Sequence, residues 1–200
     1  MSDEKNNSTK KLNTLMISLG VLGLVCVLYV VITSIMKARD RAQFGNFDCV
    51  TATTKYSVDD EYMASVLHKG ETVSALDNFY ACNEVKRNDL VLFRFSDQIA
   101  PVVRIVRGLP GDKYTVEKST EAKTKWTLAI NGQKVLGPSG KPFLIESNSV
   151  PPLRTYELSR NGLLLADEYI VLSTEPPGLS DSTNLGLIHK QALVGRVRQK

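Results

Sequence analysis

The 200-residue sequence predicts a mainly β domain of short strands and long loops, preceded by one N-terminal transmembrane helix. The apolar run Thr14–Met36 carries no charge and exceeds the roughly 20 residues that a helix needs to cross the hydrocarbon core. After this run, short β-branched and apolar segments alternate with Gly, Pro, Asn and Asp turn signals. No long amphipathic helical pattern occurs there, so an all-β domain is favoured.

The composition narrows the functional classes. The chain has a formal net charge of +4, with 42% hydrophobic and 23% charged residues, as expected for a globular protein. Its basic residues are scattered, so we expect no nucleic-acid partner. Two His and three Cys without a Cys-x-x-Cys motif predict neither a metal site nor a cofactor. Cys49 and Cys82 form a disulfide if the domain faces an oxidising compartment, or remain two unpaired thiols.

The predicted organisation has four parts. Residues 1–13 form a polar, disordered tail, 14–36 a transmembrane anchor, 37–60 a juxtamembrane connector with the first strand, and 61–200 the β domain. An uncleaved anchor is favoured over a cleaved signal peptide because the run is long and lacks a small-x-small site at its exit. Positive charges flank the run on both sides, so the positive-inside rule does not orient it.

Local patterns predict the individual strands and turns. The β-branched run Val102–Val106 predicts a strand, and the Gly-Leu-Pro-Gly-Asp segment that follows predicts a sharp turn. Asn131-Gly132 predicts a hairpin that joins Trp126–Ile130 to Gln133–Leu136. The Pro-, Gly- and Ser-rich stretch Leu136–Pro152 predicts a long surface loop.

Four blocks of residues form an ordered pattern in the β domain. They are Tyr62-Met63-Ala64-Ser65-Val66-Leu67-His68-Lys69 followed by Gly70-Glu71, the stretch Lys86–Phe93, the stretch Val103–Asp112, and Asp181-Ser182-Thr183-Asn184-Leu185-Gly186 with a terminal Gly195-Arg196-Val197. The order, spacing and turn sequence resemble those of type I signal peptidases, including the conjugative-transfer branch. That resemblance implies a signal-peptidase-like β domain.

The resemblance also implies roles for single residues. The family places its serine nucleophile where this chain has Tyr62, and its lysine general base where this chain has Arg104. Four further residues fall on positions that support the site, namely Met63, Asp112, Asp181 and Ser182.

The departures at positions 62 and 104 oppose Ser-Lys chemistry. A lysine serves as base when burial lowers its pKa, whereas a guanidinium stays protonated even when buried. Arg104 therefore cannot accept the proton, and its simpler role is that of a paired strand residue. Tyr62 is no substitute for serine, because a phenol ionises near pH 10 or so; its simpler role is aromatic packing at the rim of a groove. Ser65 becomes the candidate nucleophile only if the alignment shifts by three residues.

A third departure lies in the fourth block, two residues after its acidic residue Asp181. Thr183 replaces an arginine there, which leaves Asp181 without its expected partner unless Arg104 or Arg196 takes that place. Our hypothesis is an ion pair between Arg104 and Asp181.

The functional expectation is a membrane-anchored signal-peptidase-I-like protein with a degenerate Ser-Lys dyad. It is non-catalytic or weakly active and binds extended segments of exported, secretion, conjugation or pilus proteins. The alternatives are an active serine endopeptidase that removes signal peptides through Ser65, or a membrane-tethered β domain with an unrelated role. The resemblance implies exported proteins and membrane lipid as partners. It also implies a single-pass protein of the cytoplasmic membrane with its main domain outside the cytoplasm.

Overall fold

The computed structural model describes residue 16 and residues 20–39, 45–96, 100–120, 122, 124–146, 150–174 and 180–198. The chain divides into two units, Met1–Asn46 and Phe47–Lys200. The predicted tail at residues 1–13 lies outside the described residues, as do residues 40–44 of the predicted connector.

The first unit contains one long apolar helix, α1 (Gly20–Arg39). By length and composition it can cross a membrane, and its side chains are almost all exposed. It ends three residues beyond the predicted anchor, and several residues at the start of that prediction lie outside the described part. Helix α1 is thus consistent with a membrane anchor.

The second unit is mainly β, as predicted, and all its strand pairs are antiparallel. Its described residues form eleven strands: β1 (Ala52–Ser57), β2 (Thr72–Asp77), β3 (Leu90–Phe93), β4 (Val102–Gly108), β5 (Tyr114–Lys118), β6 (Lys125–Ile130), β7 (Gln133–Lys134), β8 (Leu144–Glu146), β9 (Glu168–Leu172), β10 (Ile188–His189) and β11 (Leu193–Arg198). The helices of this unit are α2 (Pro152–Arg160), α3 (Ser182–Leu185) and two 3-10 turns, Phe79–Ala81 and Lys190–Ala192.

The larger sheet positions the second and third blocks of the pattern. It has the order β1-β2-β11-β3-β4-β9-β10, so the second and third blocks lie on the neighbouring strands β3 and β4. The turn between β1 and β2 carries the first block, and it packs Met63 and Leu67 into a core cluster with Val103 and Val197. This burial fixes the first block against the strand that carries Arg104.

The smaller sheet consists of β5, β6, β7 and β8. Asn131 and Gly132 have positive φ angles of 51° and 77° between β6 and β7, as the predicted two-residue hairpin requires. The two sheets share a core cluster, since Leu128 of the smaller sheet and Leu172 of β9 both belong to it.

The predicted loop Leu136–Pro152 was wrong in part, because it contains β8 and leads directly into α2. Phe143 and Ile145 are buried there, and β8 pairs with β6. Two apolar anchors in a stretch rich in Pro, Gly and Ser are enough to attach a short strand. Helix α2 begins at Pro152, directly after its N-cap residue Pro151. Only Leu153 among its nine residues is buried, so the sequence of the helix has a weak periodic pattern.

Cys49 and Cys82 form a disulfide, with their Cα atoms 6.0 Å apart. The bond joins the segment before β1 to the end of the 3-10 turn that follows β2. Of the two possibilities left open by the sequence, the structure contains the bridge.

Candidate functional site

The position of the family nucleophile is held by Tyr62, whose backbone is fixed from two sides. Its carbonyl accepts hydrogen bonds from the Thr174 amide at 2.8 Å and the Thr174 hydroxyl at 3.2 Å. Its amide donates to Asp60 Oδ1 at 3.0 Å. The first block is therefore tied to the chain that follows β9.

The position of the family base is held by Arg104, whose side chain is 1% exposed. Its Nη2 donates to Asp60 Oδ2 at 2.9 Å, and its Nη1 donates to the Val103 carbonyl at 2.7 Å. The guanidinium carbon lies 5.7 Å from the centroid of the Tyr62 ring, within cation–π range. The two dyad positions are thus in contact and are bridged by one carboxylate, which is 25% exposed.

This cluster of Asp60, Tyr62 and Arg104 has the wrong chemistry for acyl transfer. A guanidinium keeps its proton even when it is buried, so Arg104 cannot serve as a general base. An acyl-transfer site also needs backbone N–H groups aimed at the developing oxyanion. Here the Tyr62 amide already donates to Asp60, and that carboxylate would repel a second negative charge.

Two other residues of the first block lie apart from this cluster. Ser65 is exposed in the turn, and within the described part of the chain its hydroxyl has no hydrogen-bond partner. Met63 is fully buried in the core cluster beneath the turn. The geometry therefore places Tyr62, rather than Ser65, against the residue on β4.

Asp181 and Ser182 are both fully buried and both satisfy backbone groups. Asp181 accepts from the amide and the hydroxyl of Ser173 at 2.9 and 2.8 Å, and from the amide and the hydroxyl of Thr183 at 2.8 and 2.6 Å. Ser182 Oγ accepts from the Val171 amide at 2.9 Å. These bonds hold α3 against β9.

The expected ion pair between Arg104 and Asp181 is wrong. Arg104 pairs with Asp60, while two hydroxyls and two amides already surround the Asp181 carboxylate. Thr183, which replaces the family arginine, supplies half of those donors. A buried carboxylate can be satisfied by neutral donors, and no cation is needed.

Asp112 closes the turn after β4. It accepts from Arg87 Nη2 at 2.8 and 2.9 Å, from the Leu109 amide at 2.7 Å and from Asn131 Nδ2 at 2.7 Å. Burial raises the pKa of Asp112, but the bonds from Leu109, Arg87 and Asn131 together outweigh it and hold the pKa below its usual value. The second and third blocks are therefore joined by a charged turn.

We expect Asp112→Asn to lower the free energy of unfolding at neutral pH by about 1.5–3 kcal/mol, the usual range for hydrogen bonds to a charged group. The ionised carboxylate stabilises the fold fully above the ordinary Asp pKa, and this contribution is lost as the pH falls through the lower folded-state pKa. The gap between native and variant should therefore close in acid. Urea unfolding at neutral and acidic pH measures it, with the exposed Asp167→Asn as control; a gap that stays constant with pH would contradict the assignment.

Asp60 of this cluster and Thr174, which donates to the Tyr62 carbonyl, were not predicted from the sequence. Asp60 precedes the aligned nucleophile by two residues, and Thr174 stands where the family pattern has already been lost. One signal could have found Asp60: a buried arginine on a strand requires a counter-charge, and acidic residues just before the first block are candidates.

A cleft of about 250 Å³ runs beside the cluster. Its walls are the two segments 56–60 and 100–104, which lead into Tyr62 and contain Arg104. The second wall carries small and aliphatic side chains, including Ala100, Pro101 and Val102. In the described part of the chain, no three His, Cys, Asp or Glu side chains gather closely enough to hold a metal ion.

Comparison with known proteins agrees with the residue pattern. A family model described as signal peptidase, peptidase S26, matches residues 42–200. A signal peptidase I from Bacillus licheniformis is 31% identical over 144 residues, which are 70% of this chain and 72% of that protein. A crystal structure of a signal peptidase I from Enterococcus faecalis is 22% identical with a TM-score of 0.40, covering 58% of this chain and 98% of that chain. The family match spans most of the chain, and the resemblance inferred from the four blocks is confirmed: the chain belongs to the signal peptidase, peptidase S26, family.

Proposed function

We propose that this protein is a catalytically silent signal-peptidase-like protein that holds an extended segment of an exported protein. The observation that carries the proposal is the Asp60–Tyr62–Arg104 cluster, which occupies the two dyad positions. The cluster has a phenol in place of the aliphatic hydroxyl of serine and a guanidinium in place of a neutral base, and its backbone amide at position 62 already donates to Asp60. Each of these three departures opposes hydrolysis on its own.

The cleft beside the cluster supports a binding role. Residues Val102–Arg104 pair with β3 on one side, whereas β9 joins β4 only from Ile105 onward. Among the described residues, Val102 and Val103 therefore have no strand paired with them on the second side of β4. An extended peptide that enters the cleft can add as a strand, with main-chain bonds supplying affinity and the small side chains of the wall supplying selectivity.

Arg104 also limits where such a peptide can end. Its guanidinium donates to the Val103 carbonyl and stacks on Tyr62, so it closes the cleft at the dyad positions. A peptide can lie along the wall without meeting a nucleophile. We propose exported proteins as the clients, with components of secretion, conjugation or pilus systems as candidates, and a main domain outside the cytoplasm.

The first test is cleavage of a preprotein by the full-length protein in detergent, beside an active signal peptidase as positive control. We expect no cleavage by the native protein, by Ser65→Ala or by Arg104→Lys, because Asp60 favours the protonated form of a lysine placed there. Cleavage by the native protein that disappears in Ser65→Ala would establish the alternative, a serine endopeptidase that uses Ser65.

The second test is binding of a fluorescently labelled signal-peptide segment, followed by anisotropy. Ala100→Trp fills the cleft from its exposed wall and should weaken binding about tenfold, equivalent to roughly 1.4 kcal/mol. Ala81→Trp is the matched control, since Ala81 is exposed and does not line this cleft. Equal binding by native protein and Ala100→Trp would rule out the cleft as the client site.

A further inference from the structure

A second cleft, of about 470 Å³, is lined by three cationic side chains. Arg87 lies in the turn before β3, Arg107 near the end of β4, and Lys134 on β7. The cleft thus lies where the large sheet and the β6–β7 hairpin meet, and the cluster at Tyr62 contributes no residue to it. None of the described residues that line it carries a carboxylate.

The charges of this cleft are only partly compensated. Asp112 pairs with Arg87, whose Nη1 donates to the Arg107 carbonyl. Arg107 donates to Asn88 Oδ1 at 2.7 Å, and within the described residues neither Arg107 nor Lys134 forms an ion pair. Burial lowers the pKa of Arg107, as expected for a guanidinium that has lost part of its water without gaining a counter-ion. A half-buried cation of this kind gains most from an anionic ligand.

Neutral donors stand beside the cations. Asn88 uses its oxygen to accept from Arg107, which leaves its amide group to donate, and Gln133 lines the cleft from the hairpin. Asn131 also lines the cleft, but its side chain is held in place by hydrogen bonds. Its oxygen accepts from the Lys113 amide, and its nitrogen donates to Asp112. Guanidinium and amide donors around a central space are the groups that bind phosphate oxygens.

The size of the cleft argues for an organic ligand. A volume of about 470 Å³ lies within the range of small-molecule sites and exceeds the needs of one inorganic ion. We infer that this cleft binds a phosphate-bearing organic anion, either a soluble phosphate ester or a phospholipid headgroup, held by Arg107 and Lys134 with Arg87 as the fixed third cation. This site is independent of the client cleft and of the proposed function.

The test is equilibrium binding to the full-length protein in non-ionic detergent, using two phosphate probes. Glycerol 3-phosphate in solution and phosphatidylglycerol in mixed micelles distinguish the two sources of the phosphate. We expect saturable binding of at least one probe that weakens with added salt. Arg107→Gln and Lys134→Gln should each weaken it about tenfold through the loss of one charge-assisted contact, and Lys55→Gln, the same charge change on the exposed strand β1, should leave it unchanged.

Each outcome bears on the inference. Binding of glycerol 3-phosphate supports a soluble ester, and binding of phosphatidylglycerol alone supports a lipid headgroup. Lys134 is exposed, so Lys134→Gln keeps the test valid if Arg107→Gln fails to fold. Absence of binding by both probes, an equal loss in Lys55→Gln, or binding of a polyglutamate peptide in place of both probes would overturn the inference.

Discussion

Replacing Asp181 with alanine is expected to lower the free energy of unfolding by about 3–5 kcal/mol, because the change leaves buried donors without an acceptor. Asp181 is 0% exposed and accepts from both the amide and the hydroxyl of Ser173 and of Thr183. The hydroxyls can turn to other acceptors, but the two amides are fixed by the backbone. An alanine also leaves a small cavity where the carboxylate was, and water cannot reach it easily.

Thermal and urea unfolding of the full-length protein in detergent measure this loss. Asp59→Ala serves as control, since Asp59 is exposed and its change should cost less than about 0.5 kcal/mol. The pattern of type I signal peptidases has an arginine directly after Asp-Ser. A third variant, Thr183→Arg, therefore restores the family residue at this position. A variant Asp181→Ala as stable as the native protein would show that Ser173 and Thr183 find other partners.

Gly195→Ala is expected to cost about 3 kcal/mol or more, because the new methyl group would meet backbone rather than a flexible side chain. A Cβ at Gly195 would lie 2.3 Å from the Leu76 carbonyl oxygen and 2.8 Å from the carbonyl carbon. Gly195 lies on β11, between β2 and β3 near the centre of the large sheet, so neither strand can move without breaking the other pairing.

The expected fall in melting temperature is roughly 6–12 °C for a chain of this length. Gly137→Ala is the matched control: the nearest atom to its added Cβ is 3.8 Å away, an ordinary contact. The same substitution at the two sites separates steric overlap from a general effect of alanine. A loss at Gly195 no greater than that at Gly137 would show that the strand spacing relaxes freely.

The parts of the fold that were predicted depend on neighbouring residues in the chain. The β4 strand and the Asn131-Gly132 hairpin follow from β-branched runs and from positive-φ preferences, both of which are local. Strand β8 and helix α2 were missed because their stability comes from distant contacts of Ile145 and Leu153 with the shared core. Short elements carry little periodic signal of their own.

The sequence aligned Tyr62 and Arg104 with the two dyad positions, but it did not give the partners of these residues. In the structure the core beneath the turn holds the first block so that the Tyr62 ring and the Arg104 guanidinium are in contact. The partner of Arg104 was not identified from the sequence, because Asp60 is 44 residues away and Asp181 was the acid that the family pattern suggested. Pairing of buried charges is decided by which donors have already been satisfied, and only the folded structure shows this.

The disulfide between Cys49 and Cys82 has a mechanical consequence for the site. It closes a covalent loop that contains β1, the turn with Tyr62 and β2. A force on the chain ahead of Cys49 has a direct covalent path through the sulfur atoms to Cys82 and onward to β3, and this path bypasses the enclosed loop. The cleft wall at residues 56–60 and Tyr62 therefore lie outside the direct covalent path of a force applied from the N-terminal side, whereas Arg104 on β4 lies beyond Cys82 on that path.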